Sequence, residues 1–144
     1  MIQSTVSASW LRGLIEIFAA EGLNKEELLS GCGLLTADLE NPARRFPSTL
    51  TALLWDLAIA RSDKQNLGLN RDLIDRYGGI HSLGYAIMAC PTLFEGLQTV
   101  KKYLAVLSEA PLFAMVKEER GYWIYGNLQG EKHAPRQRVE FGFL

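Results

Sequence analysis

Cysteine is scarce in this sequence: Cys32 and Cys90 are the only two among 144 residues, far apart and without CxxC spacing around either. That argues against a disulfide framework and leaves two buried or half-buried thiols as the expectation. The two histidines, His81 and His133, are separated from each other and from any acidic residue spaced to share a helix face, so no metal centre is expected. Long apolar runs are missing too. Nothing approaches the roughly 20 residues that cross a bilayer, and the opening MIQSTVSASW has neither the basic start nor the apolar stretch of a signal peptide. No membrane partner is expected, and the cytoplasm is the expected address. Charge of one sign is absent: 15 Lys and Arg against 16 Asp and Glu leave a net charge of −1. A nucleic-acid surface needs a basic excess, so the chain by itself is not expected to grip DNA. Ser82, Cys90, His81 and Asp75 are near in sequence, but no nucleophile elbow such as GxSxG frames them. The expectation is no enzyme and no cofactor.

What is present is a globular composition, with 48% hydrophobic and 22% charged residues. The length suits one domain, residues 1–144. Ser9 is read as the cap of a first helix whose stripe is Trp10, Leu11, Leu14, Ile15 and Phe18, ending near Glu21 and Gly22. Asn24 and Glu27 form a capping box for a short second helix stopped by Gly31 and Gly33. Residues 36–48 read as a loop carrying Arg44 and Arg45 as solvated cations, after which Ser48 caps a third helix with Leu50, Leu53, Leu54 and Leu57 on one side. Beyond Arg61 the pattern weakens; a short helix fits Lys64 to Leu69 or Asp72 to Tyr77.

The stretch LGYAIMACPTLFEGLQTVKKYL, residues 83–104, is two helices hinged at Pro91. Proline lacks an N–H and turns Cys90 away from helical angles. Thr92 then caps a new helix through Glu95, with Leu93, Leu97, Val100, Leu104 and Leu107 as its stripe. Next comes PLFAMVKEERGYWIYGNL, whose alternation predicts a hairpin turning at Arg120 and Gly121. That register puts Phe113, Met115, Lys117, Tyr122, Ile124 and Leu128 on one face and Leu112, Ala114, Val116, Trp123 and Tyr125 on the other. An isolated hairpin is marginal in water, so further strands, helices or a ligand must cover it. Pro135 opens a last helix, and the chain stops after about two turns, which reads as a helix cut short.

This order of parts, with Leu83-Gly84-Tyr85-Ala86 and Pro91-Thr92-Leu93-Phe94-Glu95-Gly96-Leu97 at fixed spacing, resembles the N-terminal effector-binding, arabinose-binding-domain-like domain of AraC-type transcriptional regulators. Gly96 stands where that family usually has alanine. The resemblance implies an α+β fold: N-terminal helices packed on a small β-hairpin or sheet, here as a truncated sensor domain. It implies an unknown small-molecule effector, dimer contacts, and DNA binding only through a C-terminal helix-turn-helix domain that this chain does not carry. Exposed strand edges add an expectation of homo-oligomers. Tyr85, Tyr103, Phe113, Trp123 and Tyr125 are the candidate ligand-binding residues, because small-molecule sites combine apolar walls with a few polar tips. Two alternatives are a haem or metal sensor using His81 or His133, and a standalone small-molecule-binding protein.

Overall fold

The computed structural model describes residues 4–69, 82–128 and 134–142. It is α+β, as expected: six α-helices and two antiparallel two-stranded sheets among the described residues. The alternative helix Asp72 to Tyr77, the histidines His81 and His133, and Phe143 and Leu144 lie outside the described residues.

The chain enters as β1 (Thr5–Ser7), which turns directly into α1 (Ala8–Ala20). Ser7, not Ser9, is the cap. Its extended backbone ends the strand and its hydroxyl accepts from the Trp10 N–H at 3.2 Å, while Ser9 sits inside the helix with its own hydroxyl 2.9 Å from that of Ser7. The helix ends as predicted. Gly22 takes φ +93, and the N–H groups of Gly22 and Leu23 donate to the carbonyls of Ala19 and Phe18, the paired bonds of a Schellman motif. In α2 (Lys25–Gly31) the Asn24 carboxamide oxygen accepts from the Glu26 and Glu27 N–H groups at 2.9 and 3.2 Å. A 3₁₀ turn at Thr36–Leu39 leads to β2 (Arg45–Pro47), which pairs with β1 so that Val6 faces Phe46. Residues read as loop are thus partly strand, and three-residue strands are too short for alternation to announce them.

In α3 (Thr49–Arg61) the buried face is Thr51, Leu54, Trp55 and Ala58, whereas Leu53 is exposed. Of the expected leucine stripe Leu54 is buried and Leu50 and Leu57 pack partly buried against the core, while Leu53 turns outward, because this helix is apolar nearly all round. The face carrying Trp55, with the most area to bury, turns inward. Ser48 precedes the helix without capping it: its hydroxyl lies 2.6 Å from that of Ser4 and so helps to hold β1. Phe18 meets Trp55 edge-on at 4.8 Å, and around this pair Leu11, Leu14, Ile15, Leu28, Leu54 and Leu67 are at most 1% exposed. A second 3₁₀ turn, Leu67–Leu69, receives the last helix. There α6 (Arg136–Gly142) follows Pro135 and brings Phe141 to 5.4 Å from Trp55.

α4 (Ser82–Met88) and α5 (Leu93–Leu107) are separate helices, broken at Pro91 as the sequence requires. The Thr92 hydroxyl accepts from the Glu95 N–H at 3.2 Å. α4 crosses α5 at Gly96, where a Cβ would meet Ile87 Cγ2 at 3.4 Å. β3 (Pro111–Glu118) and β4 (Gly121–Leu128) then form the hairpin.

Candidate functional site

In the hairpin Glu118 pairs with Gly121 and Lys117 with Tyr122. The two-residue turn is therefore Glu119-Arg120, one position earlier than expected, while the division of residues between the two faces stands. The face with Phe113, Met115 and Ile124 also carries Tyr122, whose ring packs on Phe94 of α5 at 5.1 Å. Phe113 and Met115 on this face are half-buried. On the opposite face Val116, Trp123 and Tyr125 stay wet, with Trp123 57% and Tyr125 52% exposed.

The candidate residues fall on four elements. Trp123 and Tyr125 are side by side on the open face of β4, and Phe113 is on the helix-facing side of β3. Tyr103 lies on α5 with the Lys102 ammonium 4.8 Å from its ring centre, and Tyr85 projects from α4, 63% exposed. Between them α4, α5 and the hairpin expose further large apolar side chains: Met88, Leu93, Val106, Val116 and Ile124. The surface offers ring faces with phenol hydroxyls and an indole N–H as directing groups, the composition of a small-molecule contact surface. A hollow of about 410 Å³ at the hairpin turn is lined by Glu118, Glu119 and Arg120; its walls are charged, and it lacks that composition.

Sequence reasoning missed the cluster beneath this surface. Arg45 is not a solvated loop cation. Its Nε donates to Thr5 Oγ1 at 2.9 Å, Nη1 to the Val106 carbonyl at 2.7 Å, and Nη2 to the carbonyls of Thr5 at 3.2 Å and Ala105 at 3.3 Å. Two of those acceptors belong to the last turn of α5, which has unpaired carbonyls and the negative end of the helix dipole. The Glu109 carboxylate completes the group. It accepts from the Thr5 N–H at 2.8 Å and the Thr5 hydroxyl at 2.6 Å and lies 3.8 Å from Arg45. The hydroxyl bond, then the backbone N–H, then the Arg45 charge hold the Glu109 carboxyl below its ordinary pKa. Nothing in the local sequence distinguishes Arg45 from a solvated loop cation, because all its acceptors are 40 or more positions away. Arg44 also has partners: its Nη1 donates to Asp38 at 2.8 Å and its guanidinium lies 5.0 Å from the Phe46 ring centre.

Both described thiols are free. Cys32 is buried, and desolvation pushes its pKa up against the lowering effect of Arg61. Cys90 Sγ lies 3.2 Å from the Ala86 carbonyl, inside the hinge. Among the described residues no group of His, Cys, Asp and Glu is arranged to hold a metal ion, and no described helix is long and apolar enough to cross a membrane.

The family model of the arabinose-binding domain of AraC transcription regulators, N-terminal, matches residues 22–144. The chain belongs to that family, and its class is a ligand-sensing regulatory domain. No curated protein matches the chain.

Proposed function

We propose that this single domain, residues 1–144, is the effector-sensing part of a cytoplasmic AraC-type regulator, a non-enzymatic module whose DNA-binding part lies outside this chain. The observation that carries the proposal is the exposed aromatic surface of α4, α5 and the hairpin, which falls within the segment matched by the family. The candidates remain Tyr85, Tyr103, Phe113, Trp123 and Tyr125; Phe113 lies on the opposite face of the hairpin from Trp123 and Tyr125, so one small molecule cannot touch both sets, and this reading places the effector on the open face at Trp123 and Tyr125. The effector is a small molecule with an apolar face to set against the rings and polar groups for the phenol hydroxyls. The same exposed surface and the unpaired hairpin edges favour homo-oligomers. DNA is a partner only through the absent part, because the net charge of −1 supplies no basic face.

The test is a small-molecule panel read by thermal shift and by tryptophan fluorescence. A hit whose affinity falls about tenfold or more in Trp123→Ala supports the reading. A hit that binds Trp123→Ala, Tyr125→Ala and Tyr103→Ala as tightly as the parent overturns the placement of the site. A visible absorbance band in the purified protein would favour the haem or metal alternative instead. Specific gel retardation of promoter DNA by this chain alone at physiological salt would overturn the division of labour.

A further inference from the structure

Arg45, Thr5 and Glu109 join two parts of very different solidity. The helical body, β1 to the second 3₁₀ turn with α6, encloses a core of side chains that are almost wholly buried. In the lobe formed by α4, α5 and the hairpin, the buried residues among those described are Gly96, Ser108 and Ala110, and the last two sit at the seam itself. The seam is polar. Val6 bridges to Ser108, the Glu109 N–H donates to the Thr5 carbonyl at 2.8 Å, and the Arg45 and Glu109 side chains close the ring described above.

We propose that this cluster is a latch: it holds the lobe on the body through exchangeable hydrogen bonds, so that the lobe lifts and reseats while the body stays folded. An apolar core resists opening because every exposed Å² costs free energy. A hydrogen bond at a half-exposed seam is exchanged for one to water, so that only a fraction of its strength is lost, and Arg45 and Glu109 are both within reach of water, with side chains 32% and 48% exposed. The latch also works in sequence order. β1 is the first described element, Arg45 ends the pairing with it at Ser7, and α5 delivers Glu109 directly after its C-terminus. Whatever moves α5 or the hairpin therefore pulls on Thr5, and whatever holds Thr5 restrains α5. This device does not depend on the identity of any effector.

Amide hydrogen exchange on the whole chain tests it. In the parent protein, amides of the hairpin and of the last turn of α5 should exchange through openings at least about tenfold more populated than those exposing α1 and α3. Arg45→Met, which keeps the stem and removes the donors, should raise exchange at Ser108, Glu109 and the hairpin by about tenfold and leave α1 and α3 unchanged. Glu109→Gln should do the same to a smaller degree, since a carboxamide oxygen still accepts from Thr5. Equal acceleration of lobe and body, or no change in the lobe, would overturn the latch. If Arg45→Met does not fold, Glu109→Gln decides: local acceleration upholds the proposal, and uniform acceleration or unfolding sinks it.

Discussion

Leu11, Leu14, Ile15 and Phe18 of α1 are each at most 1% exposed, whereas Leu97, Val100, Leu104 and Leu107 of α5, spaced by the same helical rule, remain half-buried. Periodicity states which side of a helix is apolar, and says nothing of how much will cover it. The body supplies cover from three helices and a strand pair; the lobe supplies a crossing helix and a two-stranded hairpin. Large apolar residues of the lobe such as Met88, Leu93 and Trp123 therefore stay exposed, as the proposed effector surface requires. The body is the part that can hold such a surface in place.

The largest test of this contrast uses two of the three tryptophans, Trp55 and Trp123. Trp55→Ala should destabilise the protein by about 3–5 kcal/mol, because Trp55 is 1% exposed and packs on Phe18 and Phe141. Trp123→Ala should stay within about 0.5 kcal/mol. Urea unfolding of both variants measures the gap, and equal losses would break the comparison. Next in size is Gly68→Ala. A Cβ there would lie 1.9 Å from the Gln137 carbonyl oxygen, so α6 must shift off the body, at a cost of about 1–3 kcal/mol. A lower Tm with red-shifted Trp55 emission is the expected signature; an unchanged Tm would show that α6 is not part of the body.

Thr92→Ala removes the cap of α5 and should cost about 1 kcal/mol. The loss should be read as faster amide exchange in the first turn of α5, with the body unaffected. The smallest effect is that of pH. Hydrogen bonds from Thr5 and the nearby Arg45 lower the pKa of Glu109, so its contribution to stability is fully present above the ordinary glutamate value and is lost as pH falls through the lowered one. Asp38, lowered first by the Leu35 N–H and then by Arg44, follows the same sign within the body. On acidification the opening of the hairpin, read from exchange corrected for the intrinsic pH dependence of amides, should increase before that of α1, and Glu109→Gln should remove that dependence. A hairpin indifferent to pH would separate Glu109 from the lobe.

Much of the fold could be read before the structure because it rests on local chemistry. Pro91 cannot continue a helix, Thr92 and Asn24 present cap oxygens at the right spacing, Gly22 accepts a positive φ, and the alternation from Phe113 to Tyr125 assigns the hairpin faces. The failures also have local explanations. Ser7 and Ser9 are equally good caps on paper, and the choice fell to Ser7 because β1 ends there in an extended conformation paired with β2. Ser48 had the cap composition but was taken by Ser4, a partner 44 positions away. In α3 several apolar faces competed, and Phe18 and Phe141 selected the one carrying Trp55. The candidate ring residues were visible as aromatics, but their distribution over α4, α5 and both faces of the hairpin depended on how those elements stack.

The sequence by itself determined the break at Pro91, the caps at Asn24 and Thr92, the stop at Gly22, the two faces of the hairpin and the family they form, since caps, breakers and periodicity act within a few residues. Only the tertiary structure decided that Arg45 reaches the carbonyls of α5, that Glu109 answers Thr5, and that one set of helices is sealed while the other stays open. Those outcomes depend on contacts between residues 40 to 104 positions apart, and the physical reason is that burial and hydrogen-bond partnership are set by what the chain brings back, which no local pattern encodes.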